Sequence, residues 1–183
     1  MTEEEILIKV LNSLNALDLP YALTGGLAVS FYGRPRSTHD FDLVIQVPSK
    51  PGATKQLLKI FGKDFYISEE GLIDAVLHKT MFNLVHHETG LKIDLWILKD
   101  EAYDREAFGR RKKLKALGTE IFVLSAEDMM INKLLWHKVS DLQKHFNDAK
   151  GIYEVQKDKL DLDYLKKWAL KLSIYDIYKR LAG

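Results

Sequence analysis

Residues 23–45 read LTGGLAVSFYGRPRSTHDFDLVI. A double glycine, Gly25-Gly26, is followed after thirteen residues by Asp40-Phe41-Asp42, and the acids run straight into Leu43, Val44 and Ile45. The order acid, aromatic, acid before an apolar run predicts a strand whose two carboxylates leave the same face, about 6.6 Å apart along the backbone. Carboxylates on such a strand are costly to desolvate, so something must offset the cost, and a divalent metal ion with a nucleotide would do so. Asp-x-Asp recurs at Asp161-Leu162-Asp163, but there the surroundings read as the start of a helix. What sets Asp40 and Asp42 apart is their context: glycines before them and a buried strand after.

A third acid of the same kind, Asp94, stands alone in LKIDLWIL, residues 91–98. On a neighbouring strand it would lie about 4.8 Å to the side. Three carboxylates on one face repel one another unless a cation neutralises them, and such a set can hold two divalent ions about 3.5 to 4 Å apart. Magnesium, an oxygen-seeking ion that keeps several waters, suits Asp40, Asp42 and Asp94; manganese is the alternative.

Gly25 and Gly26 lie where a short strand, YALT, meets a short helix ending at Gly33, a turn at which a ligand can approach the backbone and helix amides can face a phosphate. Arg36, and less directly Arg34, precede the acids as permanent cations with the fork geometry that fits phosphate. Thr38 and His39 lead into the strand. His86 and His87 are adjacent on a strand and point to opposite faces, so they cannot easily share one metal. The basic run GRRKKLK, residues 109–115, reads first as a solvated strand edge and second as a strip for RNA.

The 183 residues are 46% hydrophobic, enough for one domain with a packed core. The absence of cysteine excludes a disulfide scaffold, a thiol nucleophile and a thiolate metal site, and fits a cytoplasmic protein. No apolar run approaches the roughly 20 residues of a membrane span, so no membrane partner is expected. The opening MTEEEILIKV matches neither a signal nor a transit peptide. A net charge of +1 provides no whole-molecule steering toward a polyanion.

Periodicity divides the chain into a mixed α/β half, residues 1–124, and a helical half, residues 125–183, packed on it. In the first half Leu7, Val10, Leu11, Leu14 and Leu17 form a helical stripe, Pro48 and Pro51 bracket a turn, and residues 53–62 and 70–78 are helical. A hairpin turns at Glu88-Thr89-Gly90 and a second strand pair at Gly118. In the second half Ser125 and Asp128 suggest a capping box, and one helix carries Leu142, Phe146, Ala149 and Tyr153. Asp161 or Asp163 caps the next helix, and Tyr164, Trp168, Tyr175 and Tyr178 read as core or as a surface for a partner protein.

Taken together, Gly25-Gly26, Asp40-Phe41-Asp42 and Asp94 resemble the signature of the polymerase β nucleotidyltransferase superfamily. With LSAEDMMINKLLW (124–136) and the tail NDAKGIYEVQKDKLDLDYLKKWALKL (147–172), the chain is similar over residues 5–180 to the stand-alone bacterial and archaeal nucleotidyltransferases grouped with AbiEii abortive-infection toxins. The resemblance implies a mixed central sheet flanked by helices, with a C-terminal helical region. It implies transfer of a nucleoside monophosphate from an NTP to a hydroxyl of RNA, tRNA or protein, with pyrophosphate released, and a toxin role with a cognate antitoxin. Asp40 and Asp42 would hold magnesium, Asp94 would complete the site and help activate the hydroxyl, and Gly25 and Gly26 would cradle phosphates. Lys133 would contact the triphosphate, and Asp148 matches an acid of the following helix. The alternative is a domain of the same fold that binds a nucleotide or a partner without turnover.

Overall fold

The computed structural model describes residues 1–38, 40–48 and 52–182, so His39 and the Pro51 end of the expected turn lie outside the described residues. Helix α1 (Glu3–Ala16) opens with a reciprocal cap: the Glu5 N–H donates to the Thr2 hydroxyl, and the Thr2 N–H to the Glu5 carboxylate. Such a cap contributes about 1 kcal/mol. The helix buries Ile6, Leu7, Val10, Leu11 and Leu14, at about 1.5 to 3 kcal/mol per side chain relative to exposure. Leu17, expected in the same stripe, is the C-cap and only half-buried.

Seven strands, β1 (Tyr21–Thr24), β2 (Asp40–Ile45), β3 (Phe65–Tyr66), β4 (Met81–His86), β5 (Lys92–Ile97), β6 (Lys112–Ala116) and β7 (Thr119–Val123), form one sheet in the order β3-β4-β5-β2-β1-β7-β6. The β2–β5 and β1–β7 pairs are parallel and the others antiparallel. In both β2 and β5 the even-numbered residues are exposed or half-buried while Phe41, Leu43, Ile45, Ile93, Leu95 and Ile97 are buried, the alternation of strands with one face on the core. Strands β6 and β7 are joined by Leu117 and Gly118, both at positive φ, the conformation of a tight hairpin turn that glycine adopts without penalty.

Helices α2 (Gly25–Tyr32), α3 (Ala53–Phe61) and α4 (Glu69–His78) agree with expectation, except that both glycines belong to the first turn of α2 instead of preceding it. Helix α5 (Ala102–Gly109) and the two-residue β3 have no counterpart in the sequence reading. The C-terminal layer comprises α6 (Ala126–Ser140), α7 (Gln143–Gln156), α8 (Leu162–Lys171) and α9 (Tyr175–Ala182). Ser125 caps α6, accepting the Asp128 N–H, but its hydroxyl donates to the Asp128 carboxylate at 2.7 Å, so the expected capping box is replaced by a buried side-chain pair. Leu142 is exposed at the start of α7, and Phe146, Ala149 and Ile152 form its buried stripe. Asp161, not Asp163, caps α8. Helix α7 meets α2 closely because Gly33 has no side chain: a Cβ there would stand 3.0 Å from the Ile152 amide nitrogen.

Candidate active site

The parallel register of β2 and β5 sets Asp42 beside Asp94, and the antiparallel register of β1 and β2 sets Thr24 on the other side of Asp42. Asn83 on β4 pairs with Asp94. Directly opposed residues share a face, so Thr24, Asp42, Asp94 and Asn83 form a polar row across four strands, with Asp40 two residues before Asp42 on that same face. Helix α2 starts immediately after Thr24, and its first residue presses on this row. Gly25 has φ of +68°, and a Cβ on it would lie 1.9 Å from a carboxylate oxygen of Asp42. Only glycine brings the backbone so close to the acid. A Cβ on Gly26 would lie 2.7 Å from the Thr38 hydroxyl and 3.2 Å from the Arg36 guanidinium. No side chain caps α2, since the Thr24 hydroxyl turns instead to the Met129 sulfur at 3.4 Å. Its first amides therefore lack a side-chain acceptor.

Each acid is engaged by a donor of its own. Asp40 accepts from the Thr38 hydroxyl at 2.9 Å, Asp42 from the Trp96 indole N–H at 3.3 Å, and Asp94 from the Asn83 amide. Burial raises the Asp42 pKa above its ordinary value; the Trp96 bond opposes that rise, the charges of Asp40 and Asp94 add to it, and Lys133 counters it. As the side chains stand, no three His, Asp or Glu among the described residues enclose a metal position. The strand register nevertheless sets Asp42 beside Asp94, with Asp40 on the same face. Their chemistry, three carboxylates on one sheet face around a half-buried Asp42, fits a hard divalent cation.

The cations of the site come from two segments. Lys133 on α6 is buried and its ammonium lies 3.1 Å from Asp148 on α7. Arg36 grips the same carboxylate with its fork, at 3.0 and 3.1 Å. The two residues expected to meet a triphosphate are therefore brought together, held by an acid 112 residues from Arg36. Arg34 is turned outward to Glu154 at 2.8 Å. In the basic run, Arg110 lies over the Tyr164 ring at 3.7 Å and pairs with Glu127, while Lys112, Lys113 and Lys115 are exposed on β6, the outer strand of the sheet.

Several residues of the site escaped the sequence reading. Asn83 could have been found from the hairpin turn, which sets its register with Asp94. Trp96 lies two residues beyond Asp94, so the period-two rule puts it on the acid face. Trp136, three residues after Lys133 on α6, meets Trp96 edge to face at 5.9 Å, which no local pattern signals. Two surface hollows, one lined by α1 and Ile60 and one near Pro20, Gln46 and Asp100, include none of these residues; the second lies at the opposite ends of β1, β2 and β5.

No protein-family model and no curated protein matches this chain. Solved structures resemble it closely in fold. An antigenic nucleotidyltransferase-like protein from Paracoccidioides brasiliensis aligns over 98% of this chain and 92% of its own, at 20% identity and a TM-score of 0.59. The lincosamide antibiotic adenylyltransferase LnuA, bound to lincomycin, aligns over 85% and 98% at 19% identity and a TM-score of 0.56. ANT(2″)-Ia, in complex with adenylyl-2″-tobramycin, aligns over 97% and 99% at 16% identity and a TM-score of 0.61. At these identities the likeness is one of architecture: the chain has the nucleotidyltransferase fold, a mixed sheet with flanking helices and added C-terminal helices. No helix among the described residues is long and apolar enough to cross a membrane.

Proposed function

We propose that this chain is a divalent-metal-dependent nucleotidyltransferase that moves a nucleoside monophosphate from an NTP onto an acceptor hydroxyl. The observation that carries the reading is the juxtaposition of Asp42 with Asp94 across parallel strands, under a glycine turn whose backbone leaves no room for a side chain beside Asp42. Asp40, Asp42 and Asp94 would hold magnesium, which supplies neutralisation of charge on the reacting phosphate. The uncapped amides of Gly25 and Gly26 bind phosphate oxygens at the positive end of α2. Lys133 and Arg36 neutralise the triphosphate, exchanging part of their contact with Asp148 for phosphate. Asp94 orients the attacking hydroxyl and takes its proton. The acceptor oxygen bonds to the α-phosphorus, the bond to the bridging oxygen breaks, and pyrophosphate leaves. Residues 1–124 thus carry the acids and glycines, and residues 125–183 supply Lys133 and Asp148.

The sequence resemblance favours RNA or protein as acceptor and a toxin role opposed by an antitoxin. The structural neighbours add small hydroxyl compounds, since one is bound to lincomycin and another to adenylyl-tobramycin. The test is incubation with each α-labelled NTP and magnesium, offering total RNA, protein, lincomycin or tobramycin, beside an Asp40→Ala/Asp42→Ala control. Label on any acceptor that depends on both aspartates supports transfer and identifies the acceptor class. No label on any of them, with NTP-induced thermal stabilisation intact, rejects turnover. That outcome would support a nucleotide-binding module, a second reading favoured by one observation: each acid already has its own hydrogen-bond donor.

A further inference from the structure

We infer that Trp136, buttressed by Trp96 and His145, is the stacking platform for the nucleobase, and that the site consequently accepts all four NTPs. The inference rests on the transferase reading above. Trp136 is 47% exposed, a large apolar ring left open to solvent, yet it is held on two sides. Trp96 meets it edge to face, with ring centres 5.9 Å apart and planes at 68°. The His145 ring lies 6.2 Å away on α7, tilted by 31°. Trp96 is itself anchored, because its indole N–H donates to Asp42. The exposed ring is therefore fixed to the reacting end of the site through a single intermediate side chain.

Its place on α6 sets it beside Lys133, the cation expected at the triphosphate. Trp136 follows Lys133 by three residues, which puts the two on one side of α6 about 4.5 Å apart along its axis. A triphosphate between the α2 amides and Lys133, with its α-phosphate at Asp42, leaves the base one sugar away, within reach of Trp136. His145 suits such a neighbourhood. Burial lowers its pKa, and Lys133 lowers it further, so the imidazole beside the platform stays uncharged at neutral pH. Two polar groups that flank the platform are withdrawn from base edges. The Trp96 N–H is committed to Asp42, and the His145 Nδ1 atom is buried. Stacking alone accepts any base, because every base presents a π face.

Equilibrium binding of ATP, GTP, CTP, UTP and inorganic tripolyphosphate, each with magnesium, separates the possibilities for the unsubstituted protein, Trp136→Ala and Trp136→Phe. Trp136→Ala should weaken every NTP roughly 5- to 100-fold and leave tripolyphosphate within about twofold, while Trp136→Phe keeps most of the NTP affinity. Unchanged NTP affinity in Trp136→Ala overturns the platform and leaves the transferase reading standing. An equal loss for NTP and tripolyphosphate, or selection of one NTP more than about 100-fold by the unsubstituted protein, also overturns it. An unsubstituted protein that binds no NTP removes the transferase reading and the platform together.

Discussion

The Asp42 carboxylate accepts the indole N–H of Trp96, a residue two positions beyond the Asp94 that stands beside Asp42 in the sheet. This bond stabilises the charged form of Asp42 against the burial that raises its pKa. Trp96→Phe removes the donor and retains most of the ring, so the Asp42 pKa rises further. In the proposed reaction the ionised acid is the form that would hold the metal, so the acid limb of the kcat/KM profile should move to higher pH while the plateau at alkaline pH changes little. A pH–rate profile of the two proteins checks this, and a limb that stays in place or moves to lower pH contradicts it.

Asp42→Asn separates function from stability. Loss of the carboxylate should lower turnover roughly a thousandfold or more, since metal-borne charge stabilisation is worth several kcal/mol. Its effect on folding has the opposite sign. The folded state holds a proton on Asp42 at pH values above the unfolded value of about 3.9, so stability falls as pH rises from there through the raised folded pKa. Asn removes this penalty while keeping an oxygen for Trp96. Tm at neutral pH should therefore rise, and the difference should vanish below about pH 3. Melting curves across pH measure both ends of that window.

Gly25→Ala tests the close approach of backbone and acid. At φ of +68° an alanine is strained by about 1 to 2 kcal/mol, and its Cβ would overlap the Asp42 carboxylate. The side chain must swing away. Chemical denaturation should show the modest loss, whereas kcat should fall about a hundredfold, the usual cost of displacing a reacting group by about 1 Å. A variant with lowered stability but full kcat would show that Asp42 need not sit where it does.

Asp148 balances two cations, so its removal costs more than that of either partner. Asp148→Ala leaves buried Lys133 without its ion-pair partner and should lower unfolding free energy by about 3 to 5 kcal/mol. Lys133→Met leaves Asp148 gripped by the Arg36 fork and should cost well under half as much. Urea unfolding ranks the two. Lys133→Met also removes the charge that counters the rise in the Asp42 pKa, so its acid limb should shift upward as for Trp96→Phe.

Much of this site is written in short-range patterns. Alternation along DFDLVI puts Asp40 and Asp42 on one face, and the double glycine marks a strand meeting a helix. Local period predicts α1, α3 and α4, and Ser125 marks the start of α6, because each depends on contacts within a few residues. Helix α5 was missed because its eight residues, AYDREAFG, are mostly polar and its buried Tyr103, Ala107 and Phe108 make too weak a stripe to stand out. The two-residue β3 is too short to show alternation at all.

What the sequence by itself determined is the set of parts: which side chains share a strand face, where most of the helices lie, and that three acids on apolar strands need a neutralising charge. Only the tertiary structure decided their partners. Asp42 meets Asp94 because β2 and β5 pair in parallel register, Arg36 and Lys133 meet at Asp148, and Trp136 reaches Trp96 across two layers. Those choices follow from burial and pairing summed over the whole sheet and its helices, an energy that no local window of sequence contains.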